Sequence, residues 1–134
     1  MGTLILLKLS VRESNNMLEI SVKIEGLEEF QKLMAQMPDR VQKGLSEAIK
    51  KSIFLIEGQA KQNAPVDTGR LRASILTELH PLTASVMPTV NYAIYVHEGT
   101  RFMRGRPFLG DAVQQTQDEI SDIFSEALKE VMTP

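Results

Sequence analysis

The fold is organised by a stretch that reads APVDTGRLRASI over residues 64–75. Pro65 and Gly69 bracket a turn within this stretch, and glycine at position 69 permits a positive φ. The side chains of Asp67 and Thr68 can accept hydrogen bonds from nearby backbone N–H groups in such a turn. We therefore predict a structural turn in preference to a ligand-binding loop, formed by Pro65, Asp67, Thr68, Gly69 and Arg70.

A second stretch reads VNYAIYVHEGT over residues 90–100, and RPFL follows at residues 106–109 after a basic loop. Gly99 and Gly105 bracket the loop, and Pro107 suits the start of a helix. Residues 91–98 fit a strand, because of their aromatic side chains. They also fit two turns of helix that begin at an asparagine N-cap and end at Gly99. We favour the helix and assign Gly99 and Pro107 a structural role at the turns.

The N-terminal third contains two alternating apolar patterns, over residues 7–12 and 18–25, which are typical of half-buried strands. The two strands can pair as a hairpin. An alternative is that residues 1–16 are an N-terminal extension, because Met17 could itself be a start residue. In either case we expect residues 17–134 to form a single domain, with residues 1–16 adding an extension or an extra strand.

In the remaining segments, apolar residues recur at the spacing of a helix or of a strand. Apolar residues recur at helical spacing between residues 27 and 37, from about Asp39 to Asn63, and from Pro107 onward. We expect Asp39 to cap the second of these helices. Residues 74–79 and 83–87 predict a β-hairpin. The pattern indicates an α+β fold, in which a small, mainly antiparallel sheet packs on one long helix and a C-terminal helix.

Composition limits the classes of function. The chain has 134 residues, a formal net charge of -2 and no cysteine. This length suits one domain with a core, and the absence of cysteine excludes disulfides and thiolate metal sites. The slight negative charge argues against a surface devoted to nucleic acid. The leucine-rich start of the chain lacks the features of a signal peptide, so we expect the protein to be cytosolic when made.

The two quoted stretches resemble the neck or tail-completion proteins of long-tailed bacteriophages and prophages. The shared pattern is a long helix, then Ala-Pro-x-Asp-Thr-Gly-x-Leu-Arg-x-Ser-Ile, a strand region, Tyr-Ala-x-Tyr-Val-x-x-Gly-Thr and Arg-Pro-Phe-Leu before a C-terminal helix. All of these parts occur here in order. The resemblance extends from about Met17 to the C-terminus, and the first motif is the more specific of the two.

The resemblance implies a structural virion protein of the head–tail junction, present in the bacterial host cytoplasm during assembly. Copies would form a ring that completes the tail end and joins it to the head, although isolated subunits can be monomers. The implied partners are connector or head-closure proteins and tail-tube or tail-terminator proteins. DNA would pass through the bore without tight binding, and no membrane would be involved.

The residues offer little support for catalysis. His97-Glu98 lacks the second histidine that a zinc-protease helix needs, because Arg101 stands four residues later. The other histidine, His80, precedes a proline in a predicted turn. Ser74 lies on no Gly-x-Ser-x-Gly elbow, and no phosphate-binding glycine loop is present. We therefore predict no catalytic residue, no metal and no cofactor, and we keep a small hydrolase only as a second alternative.

The basic loop is the strongest candidate for a binding surface. It contains Arg101, Phe102, Met103, Arg104 and Arg106. Arginine and aromatic residues are enriched at protein interfaces, so we interpret these five residues as a subunit or partner interface. The loop could instead bind nucleic acid through guanidinium–phosphate contacts and stacking on Phe102, or be a solvated turn.

Overall fold

A continuous apolar stripe makes α1 (Asp39–Asn63) the central element of the computed structural model, which describes residues 5–14, 17–26, 36–66 and 69–132. The predicted bounds of this helix are confirmed. The stripe recurs every three or four residues and is fully buried, as a helix packed on a core requires. Its members are Leu45, Ala48, Ile49, Ser52, Ile53, Ile56 and Ala60.

The N-terminus of α1 differs from the prediction. Asp39 is the first helical residue, Pro38 occupies the cap position, and no side chain caps the helix. The carbonyl of Pro38 accepts hydrogen bonds from the backbone N–H groups of Val41 and Gln42. The prediction that Asp39 caps the helix is therefore wrong. An acidic side chain in the first turn still interacts favourably with the positive end of the helix dipole.

Helix α4 (Phe108–Met132) packs antiparallel along α1. The Nδ2 atom of Asn63, at the end of α1, donates to the Phe108 carbonyl at 3.3 Å and to Gln115 Oε1 at 2.7 Å. The buried residues of α4 again follow a helical stripe. They are Phe108, Leu109, Ala112, Thr116, Ile120 and Phe124.

The sheet has four antiparallel strands in the order β1 (Ile5–Ser14), β2 (Met17–Gly26), β4 (Thr83–Pro88) and β3 (Ile75–Leu79). One face carries the side chains that close the core, and they alternate along β2 and β4 as a half-buried sheet requires. The buried members of this face are Ile20, Val22, Ile24, Ile75, Ala84 and Val86. The α+β prediction is confirmed.

Strands β1 and β2 form a long hairpin, in register from Ile5 opposite Gly26 to Ser14 opposite Met17. The pairing of β2 with β4 is much shorter and spans Val22 to Glu25. Leu9 of β1 reaches the first turn of α4, where its Cδ2 atom lies 3.7 Å from an ideal Cβ position on Gly110. Whether residues 1–16 are an extension of the domain stays a prediction, and the helix predicted between residues 27 and 37 lies largely outside the described residues.

Four short elements complete the described part of the chain: α2 (Arg70–Ser74), α3 (Ala93–Glu98), β5 (Gly99–Thr100) and β6 (Met103–Arg104). The helix preferred for residues 91–98 is confirmed over residues 93–98, but Tyr92 and not the predicted Asn91 takes its cap position. The predicted hairpin of residues 74–87 forms as β3 and β4. Among the described residues, none of the helices combines the length and the apolar character needed to cross a membrane.

Replacing Ile56 with Asp should destabilise the fold by several kcal/mol, a large part of the roughly 5–15 kcal/mol that stabilises a domain. Ile56 is 0% exposed, so the new carboxylate would be buried without a partner. Urea unfolding followed by circular dichroism measures the change. The exposed Lys50→Asp variant in the same helix is the control, and an equal midpoint for both variants would contradict the assignment of the core.

A chain that begins at Met17 should be less stable than the full chain and prone to aggregation. Removal of β1 exposes the whole edge of β2, and an uncovered edge strand pairs readily with other chains. Thermal unfolding and light scattering measure this outcome. A truncated chain that stays monomeric with an unchanged melting temperature would show that residues 1–16 are a dispensable extension.

Candidate interaction site

The two stretches that the sequence singled out meet in space and enclose an open groove of about 560 Å³. One wall is formed by Pro65, Gly69 and α2, and the other by α3 with the β5–β6 hairpin. Both walls contribute apolar and basic side chains. The lining residues are Pro65, Gly69, Arg70, Leu71, Tyr92, Val96, Met103, Arg104 and Arg106.

The first wall is held by backbone geometry. Gly69 has φ +80, the left-handed region that favours glycine, and its carbonyl accepts a hydrogen bond from the Ala73 N–H at 3.0 Å. Leu71 is buried and anchors α2 to the core. The Ser74 hydroxyl donates to the Leu71 carbonyl at 2.7 Å, so its hydrogen is used to close the helix end. Asp67 and Thr68 lie outside the described residues, and their predicted role stays a prediction.

The second wall ends in a small hairpin, residues 99–106, which contains the predicted interface residues. Gly99 pairs with Arg104 and Thr100 with Met103, which leaves Arg101 and Phe102 at the tip. The Phe102 N–H donates to the Thr100 hydroxyl at 3.2 Å. From sequence this segment is predicted only as a loop, because strands of two residues are too short to show a period.

Two glycines close the base of the hairpin by direct backbone contact. An ideal Cβ on Gly99 would lie 2.6 Å from the Gly105 nitrogen, and one on Gly105 would lie 2.6 Å from the Glu98 carbonyl carbon. Gly99 also has φ +88. A side chain at either position would therefore push the two strands of the hairpin apart.

His97 links the hairpin to α4. It is 3% exposed, and its ring meets the ring of Phe108 edge-on at 5.2 Å. The Gly110 N–H donates to Nε2 at 3.4 Å, so Nε2 is the acceptor and Nδ1 donates to Glu98 Oε1 at 2.7 Å. The Arg106 N–H donates to the Val96 carbonyl at 2.8 Å, which fixes the chain just before Pro107.

The hairpin presents cationic and aromatic groups to solvent. Phe102 is 86% exposed, and the Arg101 guanidinium lies 4.8 Å from the centre of its ring. Arg104 and Arg106 are also exposed. Within the described ranges, no carboxylate lies within salt-bridge distance of Arg101, Arg104 or Arg106. Exposed arginine beside exposed aromatic and methionine side chains is the composition of a protein-binding surface.

Tyr92 lines the groove, Tyr95 is exposed on α3 beside it in sequence, and neither was among the predicted site residues. Both are exposed, whereas Ala93, Ile94 and His97 are buried. The two tyrosines are three residues apart and share one side of α3. The sequence contained this signal, but it becomes readable only once residues 91–98 are assigned to a helix.

The described residues contain no group of three or more His, Cys, Asp or Glu side chains that could hold a metal ion. His80 is exposed and contacts Glu78, 3.1 Å from Nε2 to Oε1. Both ring nitrogens of His97 are hydrogen-bonded, to Glu98 and Gly110, and its ring packs against Phe108.

A family model described as "Bacteriophage HK97-gp10, putative tail-component" matches residues 28–99, more than half of the 134 residues. The matched region contains α1, the first motif, β3, β4 and α3. The tip of the hairpin and α4 follow it. No curated protein and no solved structure gives a significant match to the chain.

Replacing Gly105 with Ala should lower stability and open the hairpin, because the new Cβ would lie within 3 Å of backbone atoms of Glu98 and Gly99. Gly58→Ala is a matched control for which the opposite change in stability is expected. Gly58 is an exposed residue inside α1 with nothing within 4 Å, so alanine there should stabilise the protein by about 0.5–1 kcal/mol. Thermal unfolding of both variants measures the difference, and equal gains would contradict the close contact.

Proposed function

The chain belongs to the HK97-gp10-like family of bacteriophage tail components, and from this membership we propose that it acts at the head–tail junction. It completes the end of the tail and joins it to the head. The proposal is supported by the order of the two motifs, which resembles that of neck proteins, and by the meeting of both motifs at one exposed surface. Its work is assembly, and it needs no cofactor.

We propose that copies of the chain form a ring between connector or head-closure proteins on one side and tail-tube or tail-terminator proteins on the other. Contacts between subunits of a ring are head-to-tail and close by rotation. The isolated subunit is a monomer, and DNA passes the bore without tight binding. A net charge of -2 is consistent with DNA that must slide past the protein. Assembly takes place in the host cytoplasm before the protein is part of the virion.

The single observation that carries the proposal is the hairpin tip. Phe102 is almost fully exposed, and three arginines beside it have no carboxylate partner among the described residues. An exposed aromatic side chain gains from burial at a partner surface, and unpaired guanidinium groups steer the approach of carboxylates. The hairpin is therefore the surface that reaches a neighbouring subunit or partner.

Nucleic-acid binding is the second candidate function, because the exposed Arg101–Phe102 pair could contact a phosphate and stack on a base. A gel-shift titration over a range of salt concentrations separates the two. A tail component of the kind we propose shows little affinity for DNA at physiological salt. Tight binding that weakens steeply with salt would favour the nucleic-acid alternative.

Replacing Arg101, Arg104 and Arg106 together with Ser should leave the melting temperature nearly unchanged and abolish joining of tails to heads. Exposed arginines contribute little to stability, whereas the proposed interface needs their charge. Joining is measured by adding purified protein to an extract that lacks it and counting complete particles by electron microscopy. The control changes two lysines of α1 that lie outside the hairpin and line neither groove, Lys50 and Lys61, to Ser. Full joining by the arginine variant would remove the hairpin from the interface.

A further inference from the structure

We propose that the hairpin of one copy docks into the groove between α1 and α4 of the next copy. Phe102 enters the groove, and the arginines of the hairpin lie over a row of carboxylates on α4. The inference rests on the proposed function in that copies of the chain meet one another in the assembly. It adds which two surfaces meet and why they are complementary.

The receiving surface is a groove of about 480 Å³ at the end of the molecule away from the hairpin. Its apolar floor contains Ala48 of α1 with Ile123 and Ala127 of α4. Gly44 lines it as well, so the α1 wall is low at that point. A cleft with an apolar floor can accept an aromatic side chain, and burying such an anchor in a pocket is the main source of affinity at many interfaces.

A row of carboxylates on α4 begins at the groove, which Glu126 lines, and runs away from the groove along the exposed side of the helix. Asp118, Asp122 and Glu126 are each four residues apart, are exposed and form one row on the helix. Within the described part of the chain, no cationic side chain lies within salt-bridge distance of Asp118 or Asp122. Like charges at this spacing destabilise a helix, so the helix alone gains nothing from this row. Cations from another molecule would reverse the effect.

The opposite wall of the groove, on α1, carries three cations, Arg40, Lys43 and Lys51, and one carboxylate, Glu47, whereas the α4 side carries Glu126 and Glu130. These cations repel the arginines of an incoming hairpin and favour its approach along α4. The charge pattern thus selects an orientation as well as a location. Arg101, Arg104 and Arg106 equal Asp118, Asp122 and Glu126 in number and are opposite to them in charge.

A subunit cannot make this contact with itself. Ala127 follows Phe108 by nineteen residues of continuous helix, which corresponds to about 28 Å at 1.5 Å per residue. The hairpin lies at the Phe108 end, because His97 and Arg106 attach it there. The two complementary surfaces therefore lie at opposite ends of α4. Such a pair allows head-to-tail contacts between successive copies.

A disulfide cross-link tests the contact in the purified full-length chain. The protein has no cysteine, so any disulfide comes from introduced residues. A chain with Phe102→Cys and Ala127→Cys, oxidised at high protein concentration and low salt, should give dimers and larger covalent species. The matched control carries Phe102→Cys and Gln117→Cys, since Gln117 is exposed on α4 but away from the groove. The control should remain mostly monomeric.

Charge reversal tests the same contact in the assembly. One variant changes the three hairpin arginines to Glu, and a second changes Asp118, Asp122 and Glu126 to Lys. Each variant should reduce joining at least tenfold in the complementation extract. A chain that carries both sets of changes regains the wild-type net charge of -2 and should recover most of the joining activity. Melting temperatures close to wild type show that each variant folds.

The outcomes separate the inference from the proposed function. The inference is overturned if the variant with Asp118, Asp122 and Glu126 changed to Lys joins normally and the Ala127 and Gln117 cysteine pairs cross-link equally. That result leaves the junction role intact. Failure of the wild-type chain to restore joining overturns the proposed function, while a specific cross-link would still support contact between the two surfaces. Joining that is lost in each single-sided variant and recovered in the combined variant confirms the contact.

Discussion

The contact between Asn63 and the start of α4 is the constraint on which the rest of the structure depends. Asn63 is the last residue of α1, and its amide binds both the Phe108 carbonyl and Gln115. This contact fixes where α4 begins relative to α1, and the two helices then pack antiparallel with the sheet on their shared apolar side. Because Arg106 and Pro107 lead directly into α4, the same contact determines where the hairpin stands.

The hairpin is rigid at its base and solvated at its tip. Its base combines the backbone contact of Gly99 with Gly105, the buried ring of His97 against Phe108, and the hydrogen bond from Gly110 to His97. The tip has Phe102 and the arginines in water. A well-supported loop loses less conformational freedom on binding than a free one, and it therefore binds more tightly for the same contact area.

The sequence predicted the long elements well and the site only in part. The bounds of α1 follow from Pro38 before it and Pro65 after it, together with an apolar period that no other structure explains. The cap at Asp39 was wrong because Pro38 takes the cap position and leaves Asp39 inside the first turn. Residues 91–98 were ambiguous, because six helical residues are too few for a period to separate helix from strand.

The groove between α2 and α3 and the backbone contact of Gly99 with Gly105 could not be predicted from sequence. Both depend on segments about thirty residues apart in the chain or on backbone atoms that carry no sequence signal. A glycine marks a turn in the sequence, but it does not show which backbone it touches. The role of His97 was hidden for a similar reason, since its partners at Phe108 and Gly110 lie beyond the loop.

The position of α4 after the arginine hairpin in the sequence has a consequence for the order of folding. The β1–β2 hairpin joins residues close in sequence and can form while the ribosome is still adding the remainder. The arginine hairpin obtains its support only when Phe108 and Gly110 have been made and placed against His97 and Asn63. The hairpin is thus supported later than the β1–β2 hairpin, because a nascent chain that has not reached Gly110 lacks these contacts. Such a chain does not yet present the surface that we propose to meet a neighbour, which protects against association on the ribosome.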